Sequence, residues 1–169
     1  MHFLITGHTG FKGTWLTFLL EELEIPVIGF SLPPLEQSLY RRANRLQKIP
    51  EVFGDVRDLD LLKKTFKEFQ PTCVIHMAAQ PLVIESYKDP LLTFDINVLG
   101  SQNIARIAIQ KNVKLVIGIS TDKSSPPVRN IYGMTKSLME RMFCLMEGKS
   151  DTHFVCVRYG NVAWSTGSV

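Results

Sequence analysis

The sequence predicts an α/β fold in which one doubly wound parallel sheet of about six strands carries helices on both faces. Three observations predict it. Short apolar runs alternate with longer segments of helical period along nearly all 169 residues, as in successive βα units. Several of the runs are apolar without alternation, as strands covered on both faces should be. A glycine-rich turn joins the first apolar run to the first helical segment.

The first strand is expected over residues 2–6, where Phe3, Leu4 and Ile5 lead into Thr6 and Gly7, and the first helix over residues 11–24. The second strand follows at 27–31. Between Ser31 and Ile49 the periodicity fades, and Pro33 and Pro34 open a basic stretch that reads as loop plus a short helix. A third strand over 51–54 precedes a helix over 58–69, in which Leu61, Leu62, Thr65, Phe66 and Phe69 recur at helical spacing until Pro71 closes it. The fourth strand, 73–77, leads to a long helix over 90–110 carrying Leu91, Phe94, Val98, Ile104, Ala105 and Ala108. The fifth strand, 114–119, precedes a helix over 131–147 with Leu138, Met142, Phe143 and Met146, where the two methionines read as core filling. A sixth strand is expected over 154–158. Such a sheet is of Rossmann type, with its ligand crevice outside the carboxyl ends of the strands.

Composition narrows the function. Hydrophobic residues are 45% and charged residues 21%, which excludes a disordered or fibrous chain. Nineteen Lys and Arg against sixteen Asp and Glu leave +3, too thin an excess for a nucleic-acid partner. No window approaches the apolar length of a membrane span, and the N-terminus lacks the basic start of a secretory signal, so a cytoplasmic protein with no membrane partner is expected. Cys73, Cys144 and Cys156 lie far apart in apolar runs without a CxxC pair; they read as reduced, buried thiols, and no metal is expected.

The strongest local signal is Thr6-Gly7-His8-Thr9-Gly10-Phe11-Lys12-Gly13, set between strand and helix. Gly7 suits the tight turn, Gly10 lets backbone approach a pyrophosphate, and Gly13 permits close helix packing. The helix N-terminus then faces the phosphates with its free N–H groups and dipole. Residues 1–169 therefore read as one dinucleotide-binding domain. Lys12 is either near a phosphate or simply exposed at the helix start, and His8 has no evident partner and no catalytic role. The second strand ends in Ser31 rather than an acidic residue, while Arg41, Arg42 and Arg45 follow, so NAD and NADP both stay open.

Polar groups gather at the other strand ends. Asp55 and Val56 follow the third strand, where an adenine edge would lie, and Asp58 doubles as a helix cap. The fourth strand leads into His76-Met77-Ala78-Ala79-Gln80-Pro81, whose small residues allow close backbone approach; His76 reads as a satisfied strand-end histidine rather than a base. After the fifth strand come Ser120-Thr121-Asp122-Lys123 and, nine residues on, Tyr132-Gly133-Met134-Thr135-Lys136. Tyr132 and Lys136 share a helix face, so an ammonium there can stabilise phenolate and make the phenol a usable base.

The combination of TGHTGFKG, HMAAQP, STDK and YGMTK resembles the extended short-chain dehydrogenase/reductase family, and within it the nucleotide-sugar 4,6-dehydratases. GHTGFKGTWL and HMAAQPLV are similar to the CDP-glucose branch, whereas STDKSSPPVRNIYGMTK and RYGNVAWSTGSV are similar to the UDP-N-acetylglucosamine branch. The resemblance implies NAD or NADP held by Gly7, Thr9, Gly10, Phe11, Lys12, Gly13, Ser31, Asp55, Val56, Ala78, Ala79, Gln80, Asn97, Tyr132 and Lys136. It implies that Tyr132 takes the proton of the sugar 4-hydroxyl while hydride leaves C4, with Thr121 positioning that hydroxyl and Lys136 holding the ribose. Lys123 would then remove the C5 proton and Asp122 protonate the departing 6-hydroxyl, before hydride returns to C6. Such enzymes serve sugar-nucleotide or surface-polysaccharide biosynthesis. A 4-epimerase needs Thr121, Tyr132 and Lys136 without the Asp-Lys pair, and a non-catalytic dinucleotide-binding fragment is the third reading. Members of the family continue for about another domain that completes the sugar-nucleotide pocket, so this chain is expected to lack its C-terminal substrate domain. The face so uncovered should be apolar enough to favour a homo-oligomer.

Overall fold

A computed structural model describes residues 2–161. Six parallel strands, β1 (Phe3–Thr6), β2 (Val27–Ser31), β3 (Glu51–Phe53), β4 (Cys73–His76), β5 (Leu115–Ile119) and β6 (His153–Val157), lie in the order β3-β2-β1-β4-β5-β6. The order reverses between β1 and β4, which pair in register from Phe3 with Cys73 to Thr6 with His76. This is the doubly wound topology, and the switch point opens a crevice at the carboxyl ends of those two strands.

The helices are α1 (Phe11–Glu22), α2 (Leu39–Arg42), α3 (Leu59–Phe69), α4 (Val83–Lys88), α5 (Pro90–Phe94), α6 (Gly100–Gln110) and α7 (Ile131–Met146). Two cores result. On one face Leu62 and Phe66 of α3, Ile104 and Ile107 of α6, and Met139 and Phe143 of α7 pack against Leu4, Phe30, Val74 and Val116, with Met142 and Met146 filling beside them. On the other, Leu20 and Leu16 of α1 pack against Ile5, Val27 and Ile75. Burial of these apolar side chains on both faces explains why the strands read as unbroken apolar runs.

Asp58 caps α3 as expected, its carboxylate accepting from the amide of Leu61 at 2.9 Å. Four expectations need correction. The first helix ends at Glu22, because the backbone turns at Glu24, which has φ 55°. A short helix, α4, lies where the sequence showed none. The helix expected over 90–110 is broken in register by a π-turn over Asp95–Leu99, so Leu91 is 78% exposed and Phe94 39% exposed while Ile104 and Ala105 are buried. Cys144 is exposed, on the outward face of α7, and only Cys73 of the three thiols is fully buried. Of the closing RYGNVAWSTGSV, residues 162–169 lie outside the described residues.

Candidate active site

The site grows from the turn after β1. Gly7 adopts φ 77°, a conformation side chains rarely take, and its amide donates to Phe30 O at 2.8 Å, tying the turn to β2. A Cβ there would lie 2.8 Å from the amide nitrogen of Ala78, so the chain crosses the switch point in direct backbone contact. Gly10 precedes α1 with no side-chain cap, and a Cβ on it would meet only Gly7 O, at 3.3 Å. The first amides of Phe11, Lys12 and Gly13 are thus left to an anion that can come close.

His8 departs from expectation. It is fully buried, and its Nε2 lies 3.1 Å from Glu51 Oε2, which also accepts from the hydroxyl of Tyr40 at 2.8 Å. Burial holds the imidazole pKa below its usual value, against the pull of Glu51. Thr9 and Ser31 meet at 2.7 Å, and Thr9 donates onward to Leu32 O at 3.1 Å, so the Ser31 proton is committed to Thr9. Arg45 is buried against Glu21 and lies over the Phe18 ring, and Arg41 pairs with Glu36. Lys12 is half-buried: its Nζ sits 3.8 Å above the ring of Tyr159, beyond β6, close enough to Lys123 for mutual repulsion to add to the burial that lowers its pKa.

At the end of β3, Asp55 is held by Arg57 through contacts at 3.0 and 2.7 Å, and that hydrogen bonding keeps its carboxyl below the usual range. Val56 is buried, with its side chain facing Gly100 of α6. Beyond β4 the amides of Met77 and Ala78 both donate to Thr6 Oγ1 at 3.2 Å, and Ala79 follows before Gln80. His76 is held between Thr6 and Ser101 at 2.7 and 2.8 Å; complete burial pushes its pKa down to about 3, so it is a neutral structural group, as expected. Asn97 is buried on the π-turn. Its Oδ1 accepts from Gln80 N at 2.8 Å, and its Nδ2 donates to Gln80 O at 3.2 Å and to Thr135 Oγ1 at 3.0 Å. All its polar atoms therefore hold the Gln80 segment to α7, and it orients the crevice wall.

Asp122 and Lys123 sit on a one-turn 3-10 helix, Asp122–Ser124, at the carboxyl end of β5, and Thr121 caps it. Thr121 donates to Asp122 Oδ1 at 3.0 Å, and Lys123 Nζ lies 3.3 Å from the same oxygen. The hydroxyl of Thr121 and the ammonium hold the Asp122 carboxyl below its ordinary value. Tyr132, in the first turn of α7, faces this group. Burial raises the phenol pKa, Thr121 opposes that rise, and Asp122 adds to it, so in this structure the phenol is not yet acidified. Lys136, one turn on, is only 3% exposed, and burial pulls its pKa down to about 8. The α7 helix meets the turn closely: a Cβ on Gly133 would overlap the carbonyl oxygen of Lys123. The residues expected on either side of the catalytic centre are thus brought together from β5 and α7.

Sequence reasoning missed Glu140 and Arg158. Glu140 is buried on α7, accepting from Ser120, Ser124 and Arg158. The signal was available in its spacing, one turn beyond Lys136 and two beyond Tyr132 on the same face. Among the described residues no cluster of three or more His, Cys, Asp or Glu is placed to hold a metal, and no helix is long and apolar enough to cross a membrane.

Comparison with known proteins agrees with this geometry. CDP-glucose 4,6-dehydratase of Salmonella typhimurium is 40% identical over 121 residues, covering 70% of this chain and 34% of that protein. The inverting UDP-N-acetylglucosamine 4,6-dehydratase of Campylobacter jejuni is 34% identical over 171 residues, covering 98% of this chain and 50% of that protein. Among solved structures, UDP-glucose 4-epimerase of Thermus thermophilus in complex with NAD superposes with a TM-score of 0.85 at 27% identity, covering 95% of this chain and 55% of that one. The chain thus spans a third to just over half the length of these three proteins. The family model described as polysaccharide biosynthesis protein matches residues 3–169, end to end with the sheet and the crevice, and the chain belongs to that family.

Proposed function

We propose that the chain is the NAD-binding part of a nucleotide-sugar 4,6-dehydratase that serves sugar-nucleotide or surface-polysaccharide biosynthesis in the cytoplasm. The observation that carries the reading is the carboxylate of Asp122 with the ammonium of Lys123 at 3.3 Å, on the turn that abuts Tyr132. An acid and a base side by side suit an elimination across C5 and C6.

The residues fit the dinucleotide. The uncapped start of α1 and the open side of Gly10 suit a pyrophosphate, and the buried Lys136 ammonium, whose only hydrogen-bond partner among the described residues is Met139 Sδ at 3.7 Å, lacks the oxygen a ribose hydroxyl would supply. The commitment of Arg45 to Glu21, and the NAD complex of the Thermus thermophilus epimerase, favour NAD over NADP. When bound, NAD supplies the hydride acceptor for C4 and the donor for C6. Gly7, Thr9, Gly10, Phe11, Lys12 and Gly13 would line the pyrophosphate side, Ser31, Asp55 and Val56 the adenosine side, and Ala78, Ala79, Gln80 and Asn97 the wall at the switch point.

Tyr132 accepts the proton of the sugar 4-hydroxyl, which Thr121 holds in line. Lys136 supplies the positive charge that the phenolate needs, its ammonium turned to the ribose. A proton passed within the pair, from the Lys123 ammonium to the Asp122 carboxylate, leaves an amine that takes the C5 proton and a carboxylic acid that delivers its proton to the 6-hydroxyl as it leaves as water, which restores the ion pair. Exposed apolar residues on α4, α5 and α7, including Ile84, Leu91, Met134 and Leu145, favour a homo-oligomer.

The test, made on a full-length protein that includes this chain, is incubation with NAD and either CDP-glucose or UDP-N-acetylglucosamine, followed by mass spectrometry for loss of one water and formation of a 4-keto sugar. Tyr132→Phe should abolish turnover and keep cofactor affinity. Lys123→Ala should stop dehydration after oxidation at C4. If that variant still dehydrates, the assignment of Lys123 is overturned; if the wild type only interconverts C4 epimers, the structural likeness to the epimerase gives the better reading.

A further inference from the structure

We propose that Glu140 is a positioning residue for this centre: its buried carboxylate, anchored by Arg158, sets the spacing between the turn that carries Thr121, Asp122 and Lys123 and the helix that carries Tyr132 and Lys136. The inference rests on the dehydratase reading for its catalytic consequence, and on geometry alone for its structural one.

The carboxylate sits where three elements meet. Oε1 accepts from the hydroxyl of Ser120 and lies 2.7 Å from that of Ser124, whose single proton also faces the carbonyl of Thr121 at 2.7 Å. Arg158, just past β6, donates through Nε to Oε1 at 2.9 Å and to Oε2 at 3.0 Å, and through a second nitrogen to Oε2. Ser120 and Ser124 bracket the three proposed catalytic residues on the turn. Their hydroxyls are directed to α7 rather than to the crevice, so they hold the turn from behind, with Thr121 buried, Lys123 half-buried and Asp122 exposed. The backbone supports the other side, with Ser120 N donating to Val157 O at 2.8 Å and Asp122 N to Tyr159 O at 3.1 Å. A turn fixed only along β6 would still be free to pivot about that line; the carboxylate fixes it in the second direction.

Charge matters as well as contact. Although burial alone would raise the carboxyl pKa, the hydrogen bonds from Arg158, Ser120 and Ser124 hold it below its ordinary value, so the group is an anion. Cys156 of β6 and that anion favour the protonated form of Lys136, against burial and the repulsion of Lys12. Glu140 therefore acts on the centre by shape, through the turn, and by charge, through Lys136.

Glu140→Gln keeps the size and removes the charge, whereas Glu140→Asp keeps the charge and shortens the reach. In Glu140→Gln, kcat is expected to fall about tenfold to a hundredfold with the KM for nucleotide sugar and the Kd for NAD within about twofold. The high-pH limb of kcat, set by loss of the Lys136 proton, should move to lower pH in Glu140→Gln and stay in place in Glu140→Asp. Hydrogen exchange of the amides of residues 120–125 should quicken in Glu140→Gln while β1 and β4 keep their protection. Wild-type kcat in Glu140→Gln, or a loss of kcat that tracks lost NAD affinity and lost thermal stability with an unmoved pH limb, overturns the proposal. Should that variant fail to fold, the double variant Ser120→Ala with Ser124→Ala, which leaves the Glu140–Arg158 pair intact, must show the same kcat-selective loss and the same exchange. If the wild type converts no nucleotide sugar, the dehydratase reading fails by itself; quickened exchange at 120–125 then still upholds the role of Glu140 in holding the turn, and unchanged exchange overturns it.

Discussion

Nζ of Lys136 lies 3.7 Å from Sδ of Met139, one turn further along α7, in a position that is 3% exposed. A cation is held in the interior beside a sulfur, a weak acceptor, and burial lowers its pKa from 10.5 to about 8. Below about pH 8 the folded and unfolded chains both carry the proton and the folded state bears the whole cost of burying the charge. Between about pH 8 and 10.5 the folded state sheds the proton while the unfolded chain keeps it, so this group's contribution to stability rises with pH. Lys136→Met is therefore expected to stabilise the cofactor-free protein at pH 7, by roughly 3 kcal/mol at most, with the gain vanishing toward pH 10.5. Thermal melts of the two proteins across that range measure it, and the variant should lose NAD binding as it gains stability. Equal melting temperatures at pH 7 would show that the ammonium is not a cost to the fold.

Gly133→Ala tests the close approach of α7 to the turn after β5. The added Cβ would overlap the carbonyl oxygen of Lys123 and lie 3.2 Å from Val128 Cγ1. Backbone cannot step aside as a flexible side chain does, so a loss of about 1–3 kcal/mol is expected, despite alanine's better helix propensity. Urea denaturation gives the value, and a variant as stable as the wild type would mean that the turn yields freely.

At Gly10 the opposite holds for the fold. A Cβ meets only Gly7 O at 3.3 Å, and the residue has φ −72° and ψ 167°, a conformation valine adopts readily. Gly10→Val should change stability by no more than about 1 kcal/mol yet weaken NAD binding at least tenfold, because the new side chain stands where a phosphate must approach the amides. Calorimetric titration decides, and unchanged affinity would move the pyrophosphate elsewhere.

Asn97→Ala removes the partners of Gln80 N, Gln80 O and Thr135 Oγ1 at once. Leaving buried groups unpaired costs more than the bonds themselves were worth, so a loss of about 2–3 kcal/mol is expected. NAD affinity should fall with it, since Gln80 lines the switch point. Stability within error of the wild type would mean that solvent reaches these groups.

The six strands and the residues at their ends were legible because a parallel sheet covered on both faces demands apolar runs, and the crevice always opens where those runs stop. What the sequence hid depends on pairings distant along the chain. His8 stands in a polar turn and looked solitary, yet it is buried because the β2–β3 pairing brings Glu51 beside it, 43 residues away. Lys12 read as a phosphate neighbour or an exposed helix-start lysine, and neither reading foretold the ring of Tyr159 that the end of β6 brings under it. Cys144 sits in an apolar run, but helical rotation turns it outward where Phe143 turns in. The acidification expected of Tyr132 is opposed by burial of the phenol, a quantity that depends on how α7 packs against the turn after β5.

The π-turn at Asp95–Leu99 gives the segment from α5 to α6 two independent angular settings. An α-helix advances about 100° per residue, so a single extra residue taken up in one wide turn swings everything before it around the axis relative to everything after. Asn97 can therefore aim at Gln80 and Thr135 while Ile104 and Ala105 stay seated on the sheet. Deleting one residue within this turn would leave the helix its hydrogen-bond ladder and put α5 out of phase with the crevice wall, a lesion of alignment in a protein whose core is untouched.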